Sequence, residues 1–186
     1  TQHCCSDFLG ETLKEALRAT GGSRAFLAGI EQESAELTMM VTAGQGWTPA
    51  NRKIRLRPHN ETERGITGYV ALTGEPYLCH DVRQDPHYIE SFSQTRSEAA
   101  VPFFDSEGRV RGVLGVDSDH LAAFDATHIT RMTTLANGVA AALAFEEFRK
   151  REQLLVEIGM DLASMSEIGP LAKQVVEVAS EALRCE

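Results

Sequence analysis

The residues able to do chemistry gather in one stretch. Cys79 and His80 adjoin, and Asp81, Asp85 and His87 follow closely. They could be drawn as a metal cluster, but their spacing matches no recurrent zinc pattern. Asp85 precedes Pro86, which suits turn initiation, so a hydrogen-bonded loop anchor is expected and no metal. Cys4, Cys5 and Cys185 lie near the ends, leaving Cys79 as the one thiol in the body of the chain. These spacings form no disulfide framework, and adjacent cysteines such as Cys4 and Cys5 rarely bridge. A thiol redox cycle needs a resolving partner, internal or external. Gly65 and Gly68 bracket a helix start, where bare backbone N–H groups can face an anion; a tight turn with close packing is the plainer reading. Arg96 is expected to pair with Asp81 or Asp85 and pin the intervening loop. Gly112 and Gly115 sit inside a strand pattern, which marks close approach of another element. No nucleophile–base–orienter set, phosphate-cradling glycine loop, kinase motif or cyclase motif is present in the sequence.

These residues must be positioned by a chain of 186 residues, 42% apolar and 24% charged, with a formal charge of −9. That is a globular composition. The acidic balance disfavours nucleic acid and anionic membrane as partners. Arg52, Lys53, Arg55 and Arg57 make a local basic run without interleaved aromatics, so a solvated strand face is expected there. No run of apolar residues is long enough to span a bilayer. The chain opens on Thr1 without a leader pattern, and a fragment in the cytoplasm is expected.

Leu9, Leu13, Ala16 and Leu17 mark an amphipathic helix over 8–20, stopped by Gly21 and Gly22. AFLAGI (25–30) and LTMMV (37–41) read as a hairpin, RKIRLR (52–57) as an edge strand, and 61–76 as a short helix ended by Gly74 and Pro76. YLCHDV (77–82) is a short strand before a polar loop, 83–95. SEAAVPFF (97–104) and RVRGVLGVDS (109–118) form a second hairpin, apolar on both faces and therefore central. From Phe124 apolar residues step by three and four, predicting a helix of up to about 40 residues, far above the usual mean. A near-heptad seam on so long a helix predicts a helical partner. Gly169-Pro170 ends it, and EALR recurs at 15–18 and 181–184, suggestive of a tandem repeat.

The stretches GITGYVALTGEPYLCHDVRQDPHY (65–88), TRSEAAVPFFDSEGRVRGVLGVDSD (95–119) and AFDATHITRMTTLANGVAAAL (123–143), in this element order, resemble the GAF family of sensory domains. The resemblance implies an α+β fold: a central antiparallel sheet of five or six strands flanked by helices, with a long C-terminal signalling helix. It also implies a pocket between the sheet and residues of about 60–96. Candidate pocket residues are Tyr69, Tyr77, Cys79, His80, Asp81, Tyr88, Phe92, Arg96, Ser97 and Asp117. Bilin-binding relatives attach pigment at a Cys-His pair, but Cys79-His80 stands on a short strand and not in their longer attachment segment. Cyclic-nucleotide-binding relatives carry an Asn/Lys–Phe–Asp/Glu signature. Here Phe124 is retained without a preceding Asn or Lys, His128 stands where an acid is expected, and Asp117, Asp119 and Asp125 would repel phosphate. Haem lacks an axial-ligand context at His80, His87 or His120. Free methionine sulfoxide reductases share the fold but use several cysteines in the globular body, where this chain has Cys79 alone, so a thiol-based reductase-like enzyme is the second alternative, behind a ligand-free module.

The expected organisation is a sensory domain over 1–148, a linker helix over 149–168, and the first helix of a second GAF-like domain over 169–186. The expected function is regulatory and not enzymatic. A small molecule, unidentified, biases one arrangement of a homodimer joined through Met132, Val139, Leu155, Ile158 and Leu162 on the long helix. The output domain of a parent protein could be a histidine kinase of a two-component system, a diguanylate cyclase, a phosphatase or a transcription activator. The rival reading is a ligand-free dimerisation or docking module.

Overall fold

The computed structural model describes residues 2–31, 34–50, 55–60, 64–164 and 169–182. It divides into two compact units, Thr1–Leu143 and Ala144–Glu186. Chain order is α1 (Gln2–Thr20), β1 (Arg24–Ile30), β2 (Leu37–Gly44), β3 (Arg55–Leu56), α2 (Gly65–Thr73), β4 (Tyr77–Cys79), β5 (Ser97–Phe104), β6 (Val110–Ser118), α3 (Ala126–Ser164) and α4 (Gly169–Ala182). A single 3-10 turn, Val82–Gln84, follows β4.

The strands form one six-stranded sheet in the order β3-β2-β1-β6-β5-β4, and each neighbouring pair is antiparallel. This is the expected α+β architecture. Alternation along the strands sorts side chains onto two faces. Ala25 and Leu27 of β1, Val101 and Phe103 of β5, and Leu114 and Val116 of β6 pack with Leu9, Leu13 and Ala16 of α1 and with Met132, Ala136 and Val139 of α3. Phe26 and Ala28, Ala100, and Val113 pack on the other face with Ile66, Val70 and Ala71 of α2. Each fully buried Leu or Phe here contributes roughly 2–3 kcal/mol.

Met132 and Val139 correct one expectation. Both are fully buried in the core, so neither forms a seam for a second copy. Their three- and four-residue spacing is that of any buried helical stripe, whatever covers it. Leu155 and Ile158 are exposed in the second unit, and the Leu162 side chain lies outside the described residues. Residues 52–54 of the expected edge strand, 61–63 of the expected short helix, and the end of the EALR recurrence at 183–184 also lie outside them.

The helix ends follow local chemistry. Gly21, at φ +69°, donates its N–H to Leu17 O at 2.8 Å and closes α1. Gly74, at φ +70°, does the same for α2 through Val70 O at 2.9 Å. Among the described residues no helix is long and apolar enough to cross a membrane.

Candidate functional site

The face of the sheet under α2 carries an anomaly. The alternation that buries Phe26 and Ala100 there also places Arg24 of β1, Glu98 of β5 and Asp117 of β6 on that face. Arg24 is the cross-strand partner of Asp117, and Asp117 is in turn the partner of Glu98. All three are buried. Glu98 and Asp117 form part of the wall of a cavity of about 40 Å³. Phe26, Trp47, Tyr88 and Phe92 give it aromatic walls, and Gly65, Ile66 and Thr67 close it with the first turn of α2.

Each wall is held by specific contacts. Trp47 donates its indole N–H to Ala43 O at 2.9 Å and meets Phe26 and Phe92 edge-on, at ring separations of 6.2 and 5.0 Å. Tyr88 and Phe92 belong to the loop after the 3-10 turn, which Asp85 anchors. Its carboxylate accepts the Tyr77 hydroxyl at 2.9 Å and the His87 backbone N–H at 2.8 Å. The first turn of α2 lacks a side-chain cap. Bare N–H groups at such a turn favour an anion.

Burial sets the charge state. The Glu98 carboxyl is raised to about 8, first by burial, then by the Asp117 and Asp85 charges. Burial also raises Asp117, to about 7, although Arg24 opposes the rise. Arg24 Nε stands 2.7 Å from Asp117 Oδ1, a charge contact outside hydrogen-bonding alignment, so neither atom has a hydrogen-bond partner. The same guanidinium reaches Asp119 and donates to Thr95 Oγ1 at 3.1 Å. It also lies 4.5 Å over the Phe92 ring. No hydrogen bond is made to the Glu98 carboxyl among the described residues. The site is thus a small pocket with a pair of buried carboxyls on one wall and the first turn of α2, without a side-chain cap, on another.

Of the sequence candidates, Tyr88, Phe92 and Asp117 line the cavity. The others are placed elsewhere. Tyr69 stacks on His87 at 4.1 Å and meets Tyr77 edge-on. Cys79 is buried under α2, its thiol pushed up to about 12 by burial and by Asp85. The His80 carbonyl accepts the Ala122 N–H, and Asp81 caps the 3-10 turn by accepting from Arg83 N at 3.2 Å. Arg96 meets Asp81 at 4.0 Å, the loop-pinning contact expected of it. Ser97 donates to His120 O at 2.8 Å. Glu98, Arg24 and Trp47 were not among the candidates. Among the described residues no three His, Cys, Asp or Glu side chains gather as a metal site.

A family model described as the GAF domain matches residues 6–144, most of the chain. The chain belongs to the GAF domain family. That single match gives no support to a second GAF-like domain beginning at 169. Among curated proteins the chain is 32% identical over 62 residues to the free methionine-R-sulfoxide reductase of Saccharomyces cerevisiae, 33% of this chain and 34% of the relative. The match therefore spans about a third of that relative's length. Among solved structures it resembles the free methionine-R-sulfoxide reductase of Neisseria meningitidis, in complex with its substrate (27% identity, 77% of this chain, 81% of that one, TM-score 0.63). The GAF domain of a phosphoenolpyruvate-protein phosphotransferase from Coxiella burnetii is similar in fold (19% identity, 79% of this chain, 86% of that one, TM-score 0.66).

These likenesses correct the expectation of a purely regulatory, non-enzymatic module, because the yeast and Neisseria relatives are enzymes.

Proposed function

We propose that the chain recognises a small free amino acid of the methionine sulfoxide class in the cavity under α2. The observation that carries this reading is the Glu98–Asp117 pair, two buried carboxyls on adjacent strands facing one cavity. An alkylammonium group placed between them satisfies both and replaces the charge that burial otherwise forces them to neutralise by protonation. The first turn of α2, on another wall of the cavity, supplies N–H groups and the Thr67 hydroxyl for a carboxylate. Trp47, Tyr88 and Phe92 provide the apolar wall for a side chain. A zwitterion matches this polarity better than a nucleotide or a pigment does.

The cavity is far smaller than the several hundred Å³ of a typical ligand pocket. A ligand of methionine sulfoxide's size therefore displaces the loop that carries Tyr88 and Phe92. Its movement is the event a sensory GAF domain would pass onward. The reductase relatives make the sulfoxide the first ligand to try and make turnover part of the assay.

The experiment is a titration with L-methionine-R-sulfoxide followed through Trp47, the only tryptophan in the chain. Methionine formed in the presence of dithiothreitol is measured in parallel. A saturable fluorescence change is expected, lost when the ligand is N-acetylated. Absence of a change with every free amino acid at millimolar concentration would sink the reading.

A further inference from the structure

Arg24 occupies an unusual position for a buried cation. It starts β1, one strand away from the β5–β6 hairpin, and its register places it across from Asp117. Its side chain is 5% exposed, against 42% for Asp119, which it also contacts. The guanidinium therefore bridges a carboxylate inside the cavity and one at the surface. Thr95 Oγ1 and the face of Phe92 fix its plane on the loop side. β6, the segment after it and the loop before β5 thus meet at one side chain of β1, yet Nε lacks a hydrogen bond and Asp117 Oδ1 lacks one too.

We propose that Arg24 is a positioning residue. Shared between Asp117 and Asp119, it keeps the Asp117 carboxylate charged and aimed into the cavity, and so makes the pocket select a cationic group. The inference rests on the amine-binding reading of that pocket and names the residue that sets its selectivity. The groups facing Asp117 are Arg24 from β1, Glu98 from β5, Asp119 beyond β6 and Tyr88 from the loop. Only Arg24 among them is positive. Without it, Asp117 and Glu98 are two buried acids side by side: burial favours the neutral form of each, and repulsion between them further opposes the second ionisation, so both are protonated near neutral pH. Protonated carboxyls cannot hold an ammonium group by charge. With it, Asp117 gives up its proton at a lower pH than Glu98 and is the member of the pair that carries the charge.

Asp119 makes the arrangement adjustable. It competes for the same guanidinium and adds its own negative field at Asp117. Removing that competitor leaves Arg24 wholly to Asp117.

The test uses the full chain with 13C-labelled aspartate, following the Asp117 carboxyl signal by NMR without ligand. Arg24→Gln is expected to move the Asp117 titration upward by one pH unit or more. Asp119→Asn, at a half-exposed position, is expected to move it downward. Methionine-R-sulfoxide binding, read through Trp47, should shift its pH profile in the same two directions, and Arg24→Lys should restore most of the wild-type profile. If Asp119→Asn leaves the Asp117 titration unchanged, and Arg24→Gln, where it folds, does so too, Arg24 is only a packing residue and the proposal is overturned. Asp119→Asn keeps the test decisive should Arg24→Gln fail to fold. Absence of binding in the wild type, with the Asp117 titration still moving as stated, would count against the amine-binding reading alone.

Discussion

Glu98 and Asp117 are direct partners across the β5–β6 ladder, and both are buried. Like charges directly opposite on adjacent strands destabilise a sheet. Proteins keep such pairs at functional sites, where a cost to stability is offset by a ligand. The nearby Arg24 neutralises one charge and leaves the other to a proton or a ligand.

The first prediction concerns stability. A carboxyl raised in the folded state holds a proton that the unfolded chain releases. Glu98 therefore contributes its full stability below about pH 4.5 and loses it as pH rises toward about 8. Asp117 acts in the same direction up to about 7. The slope is at most about 1.4 kcal/mol per pH unit for each proton. Glu98→Gln removes its share of the loss. In urea unfolding the variant should exceed wild type by several kcal/mol at pH 8 and match it near pH 4. Equal stabilities at both pH values would show that Glu98 does not bind a proton on folding.

The second prediction concerns affinity. Binding an ammonium group requires ionised carboxyls, so affinity for methionine-R-sulfoxide should fall as pH drops from about 8 to 6. The expected loss is about tenfold per unit for each proton that must leave. Affinity that is flat over this range would mean that neither acid touches the ligand.

The third tests the cavity wall. A methyl group on Gly115 would drive into the Phe26 ring, which lines the cavity. Gly115→Ala should cost about 1–3 kcal/mol by overpacking. It should also perturb Trp47 fluorescence, because Phe26 and Trp47 are in edge contact. An unchanged emission spectrum would contradict this placement of the ring.

The fourth tests the buried thiol. With its ionisation pushed up to about 12, Cys79 holds little thiolate at neutral pH. Alkylation at Cys79, mapped by peptide mass spectrometry at pH 8, should run about a thousandfold slower in the native protein than in urea. Any reductive turnover that runs through Cys79 should rise about tenfold per pH unit between 7 and 10 and vanish in Cys79→Ser. Rapid native labelling would show a thiol poised for reaction.

Much of the fold was legible because periodicity reports burial directly. The unbroken apolar runs of β1, β5 and β6, buried on both faces, and the three-to-four spacing of α1 and α3 appear in the residues themselves. What the spacing could not tell was which surface covers each stripe, which is why Met132 and Val139 read as a seam for a second helix. The site was less legible. Asp117, Tyr88 and Phe92 stood out as polar or aromatic residues near a loop. Glu98 sat in SEAAVPFF, where one acid before an apolar run passes for a strand end. Its meaning depends on register, since only the pairing with Asp117 creates a buried acid pair. Arg24 stands just before the apolar run AFLAGI, where one cation gives no sign of being buried. The signal that was present is one ionisable residue on the inward face of each of three strands that are otherwise apolar on that face.

The central claim is that an ammonium group replaces the proton that Glu98 holds beside Asp117. Calorimetric titration with L-methionine-R-sulfoxide at pH 7, repeated in buffers of different ionisation heat, counts the protons exchanged. The account predicts release of about one proton for each ligand bound, abolished in Glu98→Gln. Binding without proton release, or with equal release in that variant, would contradict it.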